Sequence, residues 1–233
     1  LRRRQGPCFV RFFRLVGIRD VIMSLESLRP KIQWFLTPTA RFFSKLPVTP
    51  NMWSVISLFC AFAAGFAFAF GYPLLGVLFV VLNACLDVLD GALARYMGIA
   101  SPVGDYLDHV FDRYADTAIV IGILVWGVQA WSCPVPAWVI GIFAITGVLL
   151  SSYMGTRAQA VGMKRNYGGV LGRADRLILL TVLGIAEFFF PNPIFFGLTF
   201  LGWLLVIYGL FGHITAVQRF VMGIKELNAQ YRK

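Results

Sequence analysis

Charge is what this chain has least of. Only 14% of its 233 residues are Asp, Glu, Lys or Arg, against about 25% in an average soluble domain. Its mean hydropathy is +0.74. Two stretches, 46–86 and 117–156, hold no charged residue at all. A transmembrane helix needs roughly 20 apolar residues in succession, so each stretch has room for a pair of crossings. A soluble enzyme and a disordered chain are thereby excluded. Cysteine is also scarce, and Cys8, Cys60, Cys85 and Cys133 show neither pairing nor metal-ligand spacing. That excludes a disulfide scaffold and reads as buried thiols. Acids are scarcer than bases, 11 against 21, for a net charge of +10. In a soluble protein this excess would raise the question of nucleic acid. In a multi-span membrane protein Lys and Arg collect in cytoplasmic loops instead, and no nucleic-acid partner is expected.

The apolar runs and turn signals predict an all-α, polytopic membrane protein with six transmembrane helices, over 51–71, 74–96, 105–131, 137–160, 174–190 and 194–217. Residues 1–27 read as a basic extension, in which Phe9, Phe12, Phe13 and Val16 share one helical face. Residues 28–48 read as an interfacial amphipathic helix, with Trp34, Phe35, Phe42 and Phe43 set among Lys31, Arg41 and Lys45. No cleaved signal is expected, since no small-residue site follows a hydrophobic run. Met23 offers an alternative start that would make 1–22 an upstream extension. The six-helix domain is expected over 49–220, with a tail over 221–233. The turns at 71–73, 132–136 and 191–193 carry no Lys or Arg. Arg95, Arg157, Lys164, Arg165, Arg173, Arg176, Arg219, Lys225, Arg232 and Lys233 all fall on the other side. The positive-inside rule then puts both termini in the cytoplasm of a multi-pass cell-membrane protein.

Six of the eleven acids crowd into one window: Asp87, Asp90, Asp105, Asp108, Asp112 and Asp116. Asp108, Asp112 and Asp116 recur every fourth residue and so share a helical face, while Asp87 and Asp90 end the preceding span. Two antiparallel neighbours can aim four or five carboxylates at one point. Such a cluster repels itself at the edge of the hydrocarbon and calls for positive charge. Hard oxygen ligands in this number suit two divalent cations, Mg²⁺ or Mn²⁺. No His or Cys falls within the pattern to suggest zinc, His109 being read as off the Asp108–Asp112 face. Two other readings of the acids stand beside this one. One is a solvated helix end paired with Arg95 and Arg113; the other is the ion pathway of a cation-coupled transporter.

Written out, Asp87-x2-Asp90-Gly91-x2-Ala94-Arg95-x8-Gly104-x3-Asp108-x3-Asp112 resembles, at all eight fixed positions, the motif of the CDP-alcohol phosphotransferases. Gly91 and Ala94 leave room for a diphosphate to approach the helix backbone. Arg95 offers a planar fork to a phosphate or a cytosine edge. The resemblance implies that Asp87 and Asp108 bridge two metals, that Asp90 and Asp112 each complete one site, and that Asp112 is also the general base. It further implies a CDP-lipid site made of Thr49, Pro50, Asn51, Met52, Gly91, Ala94, Arg95 and Ser101. The expected reaction is attack of an alcohol on a CDP-linked lipid with release of CMP. Homodimers within membrane lipid are expected, as is common in the family.

Three further segments resemble the inositol-phosphate branch of that family: Ser152-Tyr153 through Arg157 to Ala160, Gly172-Arg173-Ala-Asp175-Arg176, and Val217-Gln218-Arg219. They imply inositol 1-phosphate as acceptor, with its phosphate held by Arg157, Arg176 and Arg219. A lysine of bacterial members falls at Gly155 here, where Arg157 could substitute. Asp175 either bonds inositol hydroxyls or pairs with Arg173. The donor would be CDP-archaeol or CDP-diacylglycerol. Glycerol 3-phosphate as acceptor and CDP-inositol as donor are the neighbouring alternatives.

Overall fold

The computed structural model describes residues 38–163 and 168–230, and within them the fold is all-helical. A short helical stretch over 38–43 precedes six longer helices. These are α1 (Pro50–Ala69), α2 (Pro73–Tyr96), α3 (Pro102–Ala130), α4 (Ala137–Ala160), α5 (Arg173–Phe189) and α6 (Phe200–Gln230). The first three each begin on a proline, whose fixed φ suits the first helical turn and whose missing N–H costs nothing there. Gly71 ends the turn between α1 and α2 with φ 73, a left-handed conformation that glycine adopts without strain.

In packing, α1 lies between α2 and α3, α2 meets α5, α5 meets α6, α6 lies along α4, and α4 returns to α3. The helices therefore close a ring in the order α1, α2, α5, α6, α4, α3. Its interior is filled by Phe68, Val80, Ile123, Leu180, Leu201, Leu204 and Leu205. Two crossings bring backbone against backbone. A Cβ on Gly65 would sit 2.6 Å from the Ala118 carbonyl oxygen in α3, and one on Gly147 would sit 2.8 Å from the Gly209 oxygen in α6. Close approach of this kind through small residues is how helices associate where no water drives them together.

Four of these helices, α1, α2, α4 and α6, are long and apolar enough to cross a membrane. The other two have identifiable reasons for falling short. The first half of α3 carries Asp105, Asp108, Asp112, Arg113 and Asp116, and α5 has 17 residues, about 26 Å at 1.5 Å per residue.

The last helix differs from its expected span. It starts at Phe200 rather than 194 and runs to Gln230. Pro191 and Pro193 supply no N–H, and Phe196 and Gly197 turn the chain at φ 51 and 69. The turn is closed by Ile194 N–H to the Leu198 carbonyl and by Ser132 N–H to the Gly197 carbonyl, both at 3.0 Å. Glu187, buried at the end of α5, accepts the Leu201 N–H at 3.0 Å and so caps the new helix. Of the expected N-terminal elements, residues 1–37 lie outside the described residues, and only 38–43 of the amphipathic stretch are seen as helix. The thiols are less buried than expected: Cys60 and Cys133 are half-buried and Cys85 is exposed.

Candidate active site

The acids gather at one end of the ring. There α2 finishes, α1, α3 and α5 begin, and the later parts of α4 and α6 pass alongside. Asp87, Asp108 and Asp112 each bring a carboxylate oxygen within 4.8 Å of the others. A cavity beside them is lined by Ser54, Asn83, Asp87, Asp108, Asp112 and Arg173. The donor set fits a hard divalent cation. The buried Oδ1 of Asp112 accepts no well-aligned hydrogen bond, and its close neighbour is a cation of the chain itself, the Arg173 guanidinium, so this oxygen faces positive charge. Asp90 is buried one turn along and accepts from Ser54 Oγ at 2.5 Å, so it stands beside the three mutually close acids. Below it, Asn83 Nδ2 donates to the Ser57 carbonyl at 2.9 Å and Ser57 Oγ donates to the Asn83 carbonyl at 2.9 Å. These bonds lock α1 against α2 under the cluster.

The positive side comes from elsewhere in the chain. Arg173, the first residue of α5, places Nη1 2.7 Å from Asp87 Oδ2 and 2.5 Å from Asp112 Oδ1, and Nε 3.7 Å from Asp116 Oδ1. One turn deeper, the buried Arg176 sets Nη2 2.9 Å from Oδ2 of the equally buried Asp116. Tyr208 of α6 donates to the Arg176 carbonyl at 2.5 Å. Arg113 reaches Asp112 Oδ2 at 3.4 Å and Asp116 Oδ2 at 3.8 Å, and its Nη1 meets Ser152 on α4.

Several expected residues meet. Thr49 precedes the first turn of α1. A Cβ on Gly104 would lie 3.7 Å from Asn51 Oδ1 and 3.6 Å from Ser101 Oγ, with nothing nearer, so these residues border one open space. Ser101 also caps α3 by accepting the Gly104 N–H at 3.2 Å. A Cβ on Gly91 would meet Arg95 Nη1 at 3.4 Å. The ground above Gly91 is thus covered only by that guanidinium, and Arg95 itself is exposed, as is Met52.

The basic residues expected at the acceptor are distributed differently. Arg157 is exposed at the end of α4. Arg219 donates from Nε to the Gly168 carbonyl at 2.8 Å and from Nη1 to the Ser151 carbonyl at 2.5 Å, and Arg176 is engaged by Asp116. Lys164 and Arg165 lie outside the described residues, as do Arg232 and Lys233. Asp175 does not pair with Arg173, one of its two expected courses. It accepts the Gly172 N–H at 2.9 Å while Arg173 turns to the acids. His109, expected off the acid face, has Nδ1 3.5 Å from Asp108 Oδ2. Sequence reasoning missed Ser54 and the entry of Arg173 into the cluster. Ser54 had one visible signal, a hydroxyl in an otherwise apolar run; Arg173 had none beyond its charge.

A profile of the CDP-alcohol phosphatidyltransferase family matches residues 47–221. The chain belongs to that family. Membership makes it an enzyme of phospholipid synthesis. The archaetidylinositol phosphate synthase of Pyrococcus horikoshii is 29% identical over 161 residues, covering 69% of this chain and 82% of that protein. The phosphatidylinositol phosphate synthase of Mycobacterium tuberculosis is 31% identical over 188 residues, covering 78% and 82%. The crystal structure of the M. tuberculosis enzyme with CDP-DAG bound superposes with a TM-score of 0.69 at 27% identity, over 81% of this chain and 92% of that one. Its complex with manganese and citrate gives the same TM-score over 81% and 88%.

Proposed function

We propose that the chain transfers a phosphatidyl-type group from a CDP-linked lipid, CDP-archaeol or CDP-diacylglycerol, to inositol 1-phosphate with release of CMP. The observation that carries this reading is the convergence of Asp87, Asp108 and Asp112 on one point within the family's motif. The inositol phosphate synthases among its relatives support the acceptor. Asp87, Asp90, Asp108 and Asp112 would hold two divalent cations, Mg²⁺ or Mn²⁺. Bound there, such cations would neutralise charge on the diphosphate at the attacked phosphorus.

The chain's own residues divide the remaining work. Asp112 would accept the proton of the incoming hydroxyl, being the most enclosed acid of the three. Ser54 holds Asp90 in orientation. Thr49, Pro50, Asn51, Met52 and Ser101 line the approach to the Gly91–Ala94–Arg95 face, where a nucleotide diphosphate could lie against backbone. Arg157, Arg176 and Arg219 would set a positive field at the acceptor phosphate. Of these Arg157 is the most available, while Asp116 fixes the position of Arg176.

All six helices of the 49–220 domain would cross the membrane. The charged half of α3 and the start of α5 would then stand at the cytosolic boundary, the side of both termini. The 28–48 segment would lie in that interface, 1–27 and 221–233 would flank the domain, and the protein would work as a homodimer.

The test is CMP release by the purified protein given each CDP-lipid with Mg²⁺ or Mn²⁺ and each acceptor in turn. Release with inositol 1-phosphate is expected. Release with glycerol 3-phosphate alone would overturn the acceptor, and release with none would overturn the enzyme reading in favour of an ion pathway.

A further inference from the structure

Arg173 stands on ground that a cation would need. Its Nη1 lies 2.7 Å from Asp87 and 2.5 Å from Asp112, two of the three acids whose oxygens lie within 4.8 Å of one another. A Mg²⁺ ion binds oxygen at about 2.0–2.1 Å. A cation held by those oxygens and the guanidinium nitrogen would therefore claim nearly the same point. Two like charges cannot share it.

The placement of Arg173 owes nothing to its own helix. It is the first residue of α5, where the helix dipole disfavours positive charge, so the carboxylates supply the attraction that holds it. Its backbone, by contrast, is fixed. The loop leading to it is tied to α6 by Val170 N–H to Gln218 Oε1 and by Leu171 N–H to Thr215 Oγ1, both at 3.2 Å. Only the side chain is placed to leave, and it is already one-fifth exposed.

We propose that Arg173 is an internal counter-ion of the acid cluster and gives way when a divalent cation binds. This rests on the reading of Asp87, Asp108 and Asp112 as metal ligands. Arg173 keeps the self-repelling carboxylates together without metal, and the metal must displace it. Metal affinity is thus set by a competition inside the chain. The neighbouring guanidiniums differ in kind. Arg176 is bound to Asp116 a turn deeper, and Arg113 reaches Asp112 through its other oxygen, so both are placed to stay.

Two measurements on the full chain in detergent, without CDP-lipid, test this. The first is titration with Mn²⁺, following free Mn²⁺ by electron paramagnetic resonance. Arg173→Gln should bind about tenfold more tightly than the unchanged protein, the worth of one charge-assisted contact. The second reads the unchanged protein alone: mass spectrometry of Arg173 modification by phenylglyoxal, with and without Mn²⁺. Displacement should speed the modification several-fold. Equal or weaker Mn²⁺ binding by Arg173→Gln, or slower modification with Mn²⁺, would overturn the proposal while leaving the metal site standing. No Mn²⁺ binding by either protein would overturn the metal reading and the proposal with it.

Discussion

Asp116 lies one turn beyond the last acid of the motif, and its removal should be felt as lost stability. Its carboxylate is buried, 2.9 Å from Arg176, with Arg173 at 3.7 Å and Arg113 at 3.8 Å. Asp116→Leu would leave the enclosed Arg176 guanidinium without its counter-charge. Removing one partner of a buried pair costs about 3–5 kcal/mol. At about 2–4 °C per kcal/mol for a chain of this size, the midpoint should fall by roughly 6–20 °C. Thermal unfolding of the detergent-solubilised protein, followed by tryptophan fluorescence at a fixed scan rate, reads this directly. The double variant Asp116→Leu with Arg176→Leu removes both charges and should recover most of the loss, since packed apolar residues commonly replace a buried pair without penalty. Single variants within about 2 °C of the unchanged protein, or a double variant worse than either single, would refute the assignment of an interdependent pair.

Asp112→Asn should lower CMP release by about 10²–10⁴-fold, the range of a lost general base, while Mn²⁺-dependent retention of CDP-lipid persists; full release would refute the base. Ser54→Ala removes the 2.5 Å bond to Asp90, and the Mn²⁺ concentration for half-maximal rate should rise by roughly tenfold; an unchanged metal dependence would show that Asp90 needs no such support. Glu187→Ala deletes the cap on α6 at the opposite end of the ring. A loss of about 1–3 kcal/mol of stability is expected with kcat unchanged, and a fall in kcat at full stability would contradict its purely structural place.

The sequence revealed most where chemistry is local. The acids lie on consecutive turns of one helix and at the end of another. Helical periodicity puts Asp108 and Asp112 on one face, and the packing of α2 and α3 about α1 brings Asp87 to them. The expected starts at 51 and 74 fall one residue inside the observed Pro50 and Pro73, whereas α3 begins at Pro102, three residues before the expected 105. What escaped depends on the path of the chain through space. Arg173 follows Gly172 in a segment rich in basic residues, and nothing adjacent indicates that it points into the acids instead of the cytosol. Its target lies across the α2–α5 contact, far away in sequence. The late start of α6 escaped because Ile194, Phe195 and Phe196 are apolar like the span they precede. The deciding features were a left-handed turn and an acid contributed by another helix. Asp175 does not pair with its chain neighbour Arg173, because its carboxylate accepts the Gly172 N–H at 2.9 Å and Arg173 turns to the acids.

The most extensive contacts in the ring join α1 to α2 and α3, and α4 to α6; α5 touches each group through one neighbour. Every carboxylate of the cluster, with Ser54, belongs to the first group. Arg173 and Arg176, which face it from α5, together with Ser152 on α4, belong to the remainder. The molecule is therefore partitioned mechanically as well as chemically. If the halves breathe against each other, the spacing between the acids and the two guanidiniums of α5 changes, while the spacing among the acids and from them to Arg113, which shares α3, does not. A ligand could widen or close the basic side without disturbing the geometry on which a metal would depend.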